Sequence, residues 1–166
     1  ITGLFTAKDI IYYKTDMKSS NLDESYQLRC GAAIGINQDY LVRAEQLIES
    51  DVDVLVIDIA HGHTLQCKEA IQNVRSLINS KKKKVDIIAG NVCTAEGTKF
   101  LIDAGADAIK VNIGAGSICT TRIISGCGVP QFTAVVDCSR EAKKYNIPII
   151  SDGGHCGSIG NIFKGL

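Results

Sequence analysis

At 166 residues the chain has room for one sizeable core, since a domain typically runs to about 100–200 residues. Hydrophobic residues make up 45% and charged residues 22%, ordinary globular usage that speaks against disorder and against a membrane-embedded chain. With 18 basic and 18 acidic residues the net charge is zero, which removes any bulk electrostatic case for nucleic acid or an anionic membrane as partner, so any anion must be held locally.

In chain order, Ile1–Tyr13 reads as a short strand and helix, and Lys14–Gln27 as a polar connector with Ser19, Ser20 and Asn21 at its middle. From a boundary near Leu28, apolar runs alternate with helical segments at intervals of about 25–35 residues, the rhythm of βαβ units and a parallel sheet. Leu28–Gly35 is the first predicted strand, and Gln38–Ser50 places Leu41, Ala44, Leu47 and Ile48 on one helical face. Val52–Ala60 is an apolar strand interrupted by Asp58, followed by a helix over Thr64–Ser80. Val85–Val92 is a strand, and Thr94 caps a helix that ends at Ala104 with Gly105 as its stop. Ala108–Ile113 leads into a glycine-rich loop, with a helix over Pro130–Tyr145. Ile147–Ser151 is a fifth strand, ending at Asp152-Gly153-Gly154 before a helix that runs through Ile162.

Five parallel strands suit either an open doubly wound sheet or part of a barrel. Asp58, Asn91, the Gly114–Cys119 loop and Asp152 all fall at carboxyl ends of strands, the rim where a (β/α)₈ TIM barrel builds its chemistry. The preferred fold is therefore α/β, a TIM barrel of which about five βα units are present.

No apolar run approaches the roughly 20 residues that span a bilayer, and no signal-peptide pattern opens the chain, so a cytoplasmic protein is expected. The chain opens on Ile1 rather than Met and stops at Leu166 within a helical pattern, as a fragment would. An incomplete barrel leaves strand edges unpaired and is expected not to fold stably alone. Seven irregularly spaced cysteines without a Cys-x-x-Cys fit neither a disulfide framework nor a zinc ribbon. Cys30, Cys67, Cys93 and Cys138 read as packing residues, while Cys127 and Cys156 stay ambiguous.

Chemistry concentrates in Gly114-Ala115-Gly116-Ser117-Ile118-Cys119-Thr120-Thr121-Arg122. Unhindered amides after a strand suit a phosphate or a small cation, and equally a tight turn. Cys119, surrounded by hydroxyls and next to the Arg122 cation, is either a thiol activated as a nucleophile or an inconsequential loop cysteine. Asp152-Gly153-Gly154 pairs a carboxylate with free amides before a helix, suited to ribose hydroxyls and a phosphate or to a plain strand-to-helix turn. Asp58 needs a partner if buried, and ribose hydroxyls or backbone amides would serve. His61-x-His63 lacks a third ligand and reads as loop histidines without metal.

With these residues in view, the loop Ile113–Arg122 followed by Gly126-Cys127-Gly128-Val129-Pro130-Gln131 resembles the signature of the inosine monophosphate dehydrogenase family. The similarity continues through Gly31–Gly35, Asp58 with His61-Gly62-His63, Ala89-Gly90-Asn91-Val92, Gly105-Ala106-Asp107 and Ser151–Gly154, covering residues 28–166. A shorter match makes 1–14 resemble the end of a CBS-type regulatory module, with 15–27 as connector and 28–166 as a partial barrel catalytic domain.

The resemblance implies that Cys119 attacks the purine 2-position of inosine monophosphate, that hydride passes to NAD, and that hydrolysis of the thioimidate gives xanthosine monophosphate. It assigns proton handling to Thr121, and nucleotide contacts to Ser117, Asp152, Gly153 and Gly154. Asp58, Asn91, Asn112, Ile113 and Gly114 fall on the cofactor side. Backbone carbonyls of Gly114, Gly116 and Cys119 correspond to a potassium site, and a homotetramer with no nucleic acid or membrane partner is implied.

The chain departs from the family pattern at three places. Asn112 stands where the loop's first glycine is expected, Ala115 where a proline is frequent, and His155-Cys156-Gly157-Ser158-Ile159-Gly160-Asn161 replaces the usual phosphate loop with one extra residue. The NADPH-dependent guanosine monophosphate reductases look similar through the same cysteine loop. Ala60-His61-Gly62-His63, Val129-Pro130-Gln131 and the CBS-like opening lean toward the dehydrogenase. A catalytically silent nucleotide-binding or assembly subunit is the alternative of another class, motivated by Asn112 and the altered loop.

Overall fold

The computed structural model describes residues 6–7, 21–37, 39–154 and 159–165. The chain divides into two compact units, Ile1–Cys30 and Gly31–Leu166. Within the first, Leu22 and Leu28 form an antiparallel bridge around a turn in which Asp23 Oδ1 accepts the Ser25 and Gln27 amides, both at 2.8 Å. Leu28 thus pairs back on its own unit and does not begin the first parallel strand. The strand and helix expected over Ile1–Tyr13, and much of the connector after them, lie outside the described residues, as does the loop at 155–158.

The second unit alternates strands and helices: β1 Gly31–Ile34, α1 Tyr40–Glu49, β2 Val54–Asp58, α2 Leu65–Lys81, β3 Asp86–Val92, α3 Ala95–Ala104, β4 Ala108–Val111, α4 Thr121–Ser125, α5 Gln131–Lys143, β5 Ile149–Ser151 and α6 Ile159–Gly165. Local chemistry sets the helix ends. Thr64 Oγ1 accepts the Cys67 amide at 3.3 Å and Thr94 Oγ1 accepts the Gly97 amide at 3.1 Å, each satisfying an amide that the first turn leaves free. Gly105, at φ 105°, ends α3 as expected.

All strand pairs are parallel and the sheet order is β1-β2-β3-β4-β5, so spatial order equals chain order without the reversal of a doubly wound sheet. The helices touch in succession along the sheet, α1 on α2, α2 on α3 and α3 on α5. Leu55, Ile57, Ile87, Ala89, Ile109 and Val111 are fully buried within this layer. Each such Leu, Ile or Val contributes about 1.5–3 kcal/mol relative to exposure. The alternate residues Val54, Val56, Ile88 and Lys110 are only partly buried and share the opposite face. A sequentially ordered parallel sheet with helices on one face and a polar rim is an arc of a (β/α) barrel.

Every observed strand except β3 is at least two residues shorter than expected, and α4 falls within what reads as loop. β1 and β5 start later than the apolar runs that announce them, whereas after β2 and β4 the chain leaves the sheet to build the rim, so that Ile59 and Ile113 extend the sequence pattern beyond the last strand residue. The five-residue α4 is too short to show a periodicity.

Candidate active site

The register aligns Asp58 with Gly90 and Gly90 with Lys110, putting these three residues in one row across β2, β3 and β4. Lys110 pairs with Ile150, and Asp152 lies two residues further, on the same face. Gly90 has no side chain, so Lys110 extends over it: its Nζ lies 2.9 Å from Asp58 and 2.5 Å from Asp152. A Cβ at Gly90 would lie 2.6 Å from the Lys110 carbonyl oxygen. Close approach of the two strands therefore requires glycine there. Burial by itself depresses the lysine pKa, but the two carboxylates outweigh it and hold the ammonium above its ordinary value. The Lys110 side chain is 13% exposed, whereas Asp58 and Asp152 are 44% and 42% exposed, so the two carboxylates open to solvent on either side of one enclosed cation.

Lys110 is absent from the residues expected at the site, although its isolation in Ala108-Ile109-Lys110-Val111 is a signal of its own. A charged residue in an otherwise apolar strand needs a partner, and the strand period places it on the face of Asp58 and Asp152.

β4 continues through Asn112 and Ile113 into the cysteine loop. Asn112 donates its amide to the Val92 carbonyl at 3.1 Å, and its Oδ1 accepts the Ala115 amide at 2.9 Å. Among the described residues the non-glycines at positive φ are Tyr26, Asp51, Lys82 and Asn146. Asn112 therefore does not adopt the left-handed angle that a missing glycine could have forced on it. The Cys119 amide donates to the Gly116 carbonyl at 3.1 Å, and Cys119 Sγ lies 3.2 Å from Thr121 Oγ1. As a thiol, Cys119 donates to that hydroxyl. As a thiolate it receives the Thr121 hydroxyl and amide, and these bonds, helped by the Arg122 charge, hold the Cys119 pKa below the ordinary thiol value. Arg122 fixes the far end of the loop by donating to the Val129 carbonyl at 2.6 Å. Ser117 and Ile118 project to solvent.

The turn after β5 is shaped by Gln131. Its Nε2 donates to the Val111 carbonyl at 2.7 Å and to Ser151 Oγ at 3.0 Å, tying the ends of β4 and β5 together. Gly154, at φ 75°, sits so close that a Cβ would lie 2.5 Å from Gln131 Cβ, and Gly153 is also at positive φ.

A cavity of about 510 Å³ opens beside this rim, lined by Ala60, His61, His63, Val92, Cys93, Ile113, Thr121 and Val129 among others. Asn91, one residue before Val92, has a buried Oδ1 with no hydrogen-bond partner. The structure thus gathers Asp58, Asn91, Asn112, Ile113, Gly114, Gly116, Cys119, Thr121, Asp152, Gly153 and Gly154 at one end of the sheet. His63 packs on Phe100 at 4.7 Å, with His61 6.5 Å away and edge-on to it. No group of three His, Cys, Asp or Glu among the described residues is placed to hold a metal. Of the cysteines expected to pack, Cys67 and Cys138 are buried, burial pushing both thiols up to about 11, and Cys93 is half-buried. Cys30, the last residue of the first unit, is exposed instead, outside the apolar sheet core that buries Cys67 and Cys138. No helix among the described residues is long and apolar enough to cross a membrane.

A family model described as the IMP dehydrogenase / GMP reductase domain matches residues 7–166. The chain belongs to that family. It is 49% identical to the inosine-5'-monophosphate dehydrogenase of Aquifex aeolicus over 166 residues, which cover 100% of this chain and 33% of that protein. It is 46% identical to the GMP reductase of Leishmania donovani over 163 residues, 98% of this chain and 32% of the relative. Among solved structures, GMP reductase from Trypanosoma brucei in complex with guanosine 5'-monophosphate superposes with a TM-score of 0.85 at 42% identity, covering 96% of this chain and 32% of that one. The chain spans about a third of the length of these family members.

Proposed function

We propose that the protein containing this chain oxidises inosine monophosphate to xanthosine monophosphate with NAD, through a covalent intermediate on Cys119. The observation that carries the reading is the contact between Cys119 Sγ and Thr121 Oγ1 at 3.2 Å, which favours the thiolate on the rim shared with Asp58 and Asp152. The Cys119 thiolate forms a C–S bond at the purine 2-position and makes that carbon tetrahedral. NAD, when bound, accepts the hydride. Water then adds to the resulting thioimidate, and the C–S bond breaks to release product and thiolate, with Thr121 handling a proton at its hydroxyl.

Around this step, Ser117, Gly153 and Gly154 contact the nucleotide phosphate and Asp152 the ribose, while Lys110 pairs with both Asp152 and Asp58 and leaves their solvent-facing oxygens to accept from hydroxyls. Asp58, Asn91, Asn112, Ile113 and Gly114 form the cofactor side. The fit to a nicotinamide group rests on the cavity beside Thr121 and on the unpartnered Asn91 Oδ1, an acceptor suited to an amide or ribose donor. For potassium, the carbonyls of Gly114, Gly116 and Cys119 would supply oxygen donors of the kind such an ion takes, with the Gly116 carbonyl and Cys119 already joined in one turn by the bond from the Cys119 amide. The complete enzyme is read as a cytoplasmic homotetramer, with 1–14 as the end of a CBS-like module, 15–27 as connector and 28–166 as part of the catalytic barrel.

A second reading, NADPH-dependent reduction of guanosine monophosphate, is favoured by the likeness to the Trypanosoma brucei and Leishmania donovani reductases. Mixing the complete protein with inosine monophosphate and NAD is expected to give a burst of NADH that disappears in Cys119→Ala. Oxidation of NADPH by guanosine monophosphate in place of the burst would select the reductase, and nucleotide binding without either reaction would select a silent subunit.

A further inference from the structure

Asn112 occupies the position where the cysteine loop's glycine-rich pattern would begin with glycine, and it makes contacts that a glycine could not. Its backbone amide holds the start of the loop to the end of β3 through the Val92 carbonyl at 3.1 Å, a bond open to any residue but proline. Its side chain adds the bond to the Ala115 amide at 2.9 Å, which closes a turn across the strand exit. The next turn, from Gly116 to Cys119, follows directly and carries the thiol. On its other side lies the Asp152 turn, near enough that a Cβ added at Gly153 would come to 3.4 Å from Asn112 Nδ2 and 3.3 Å from Gly116 Cα. One side chain therefore bonds the loop that bears the nucleophile and lies beside the turn that follows the second carboxylate.

We infer that Asn112 is a positioning residue that fastens the start of the Cys119 loop, beside the Asp152 turn, so that the thiol is held in place before substrate arrives. A glycine there would leave the Ala115 amide to solvent and make the strand exit a hinge. The substitution exchanges mobility for preorganisation, which favours a nucleophile that must meet a bound ring at fixed distance. The inference rests on the reading of Cys119 as the nucleophile, but its primary readout needs no turnover and holds for either nucleotide reaction.

The test compares the complete protein with Asn112→Ala, Asn112→Gly and Asn112→Asp by amide hydrogen exchange, by the pH profile of Cys119 carboxamidomethylation, and by kcat and KM. In the Ala and Gly variants exchange at the Ala115 and Cys119 amides is expected to quicken about fivefold, the loss of one modest hydrogen bond. The pH midpoint of Cys119 alkylation is expected to rise, and kcat to fall more than nucleotide affinity. Asn112→Asp keeps the acceptor and is expected to restore amide protection; because it adds a charge near the thiol, only exchange is read for it. Unchanged exchange and an unchanged midpoint in both Ala and Gly, or failure of Asp to restore protection, would overturn the proposal. A loosened loop in a protein that turns over neither nucleotide would leave the fastening intact and remove the enzymatic reading.

Discussion

Lys110 on β4 reaches across the bare backbone of Gly90 to within 2.9 Å of Asp58 on β2, two strands away. With Asp152 at 2.5 Å on its other side, one ammonium holds together two carboxylates that would otherwise repel. Lys110→Met is expected to destabilise the complete protein by about 1–3 kcal/mol, below the value for a fully buried pair because both carboxylates are partly in water. Thermal melts of Lys110→Met, Asp58→Asn and the double variant check this: the double variant should lose less than the sum of the two, and strict additivity would refute the coupling.

Gly90→Ala places a methyl carbon 2.6 Å from the Lys110 carbonyl oxygen, so β3 and β4 must separate locally. The expected cost is about 1–3 kcal/mol, the range for forcing atoms into a packed interior. A urea melt with an unchanged midpoint would show that the strands have slack there.

The lowered Cys119 pKa means that its thiolate is populated at a lower pH than that of an ordinary cysteine. Alkylation followed by mass spectrometry should therefore show Cys119 reacting at a lower pH midpoint than free N-acetylcysteine under the same conditions. Thr121→Val removes the largest cause of the shift and should move the Cys119 midpoint upward. A midpoint that is the same in Thr121→Val as in the unsubstituted protein would contradict the geometry of the pair.

Gly154→Ala combines a left-handed backbone angle with a Cβ 2.5 Å from Gln131 Cβ. The turn must shift, and a displacement of the order of an ångström at the proposed nucleotide site is expected to cost up to roughly a hundredfold in efficiency. Steady-state kinetics should show this as a raised KM for the nucleotide, with a melting temperature little changed because the turn lies on the half-exposed rim.

The barrel arc is legible in the sequence because its helices bury one stripe each, as Ala44 and Ile48 on α1 do, and because Thr64, Thr94 and Gly105 mark their ends chemically. Strand ends are less legible, since Ile59 and Ile113 extend the apolar run into segments that have already left the sheet. Cys119, Asp152 and Asp58 stand out because polar or reactive residues after apolar strands are costly without a purpose. Lys110 escapes notice for the opposite reason: its role depends on a partner 52 positions back and another 42 ahead, and only the register, with Gly90 between, puts them together.

A sheet whose spatial order equals its chain order has a consequence for how the protein is made. Each of the strands β2 to β5 pairs with the strand synthesised just before it, so no pairing among these five has to bridge a later strand. Asp58, Lys110 and Asp152 leave the ribosome in that order, so the cation of the cluster is always preceded in the chain by a carboxylate able to receive it.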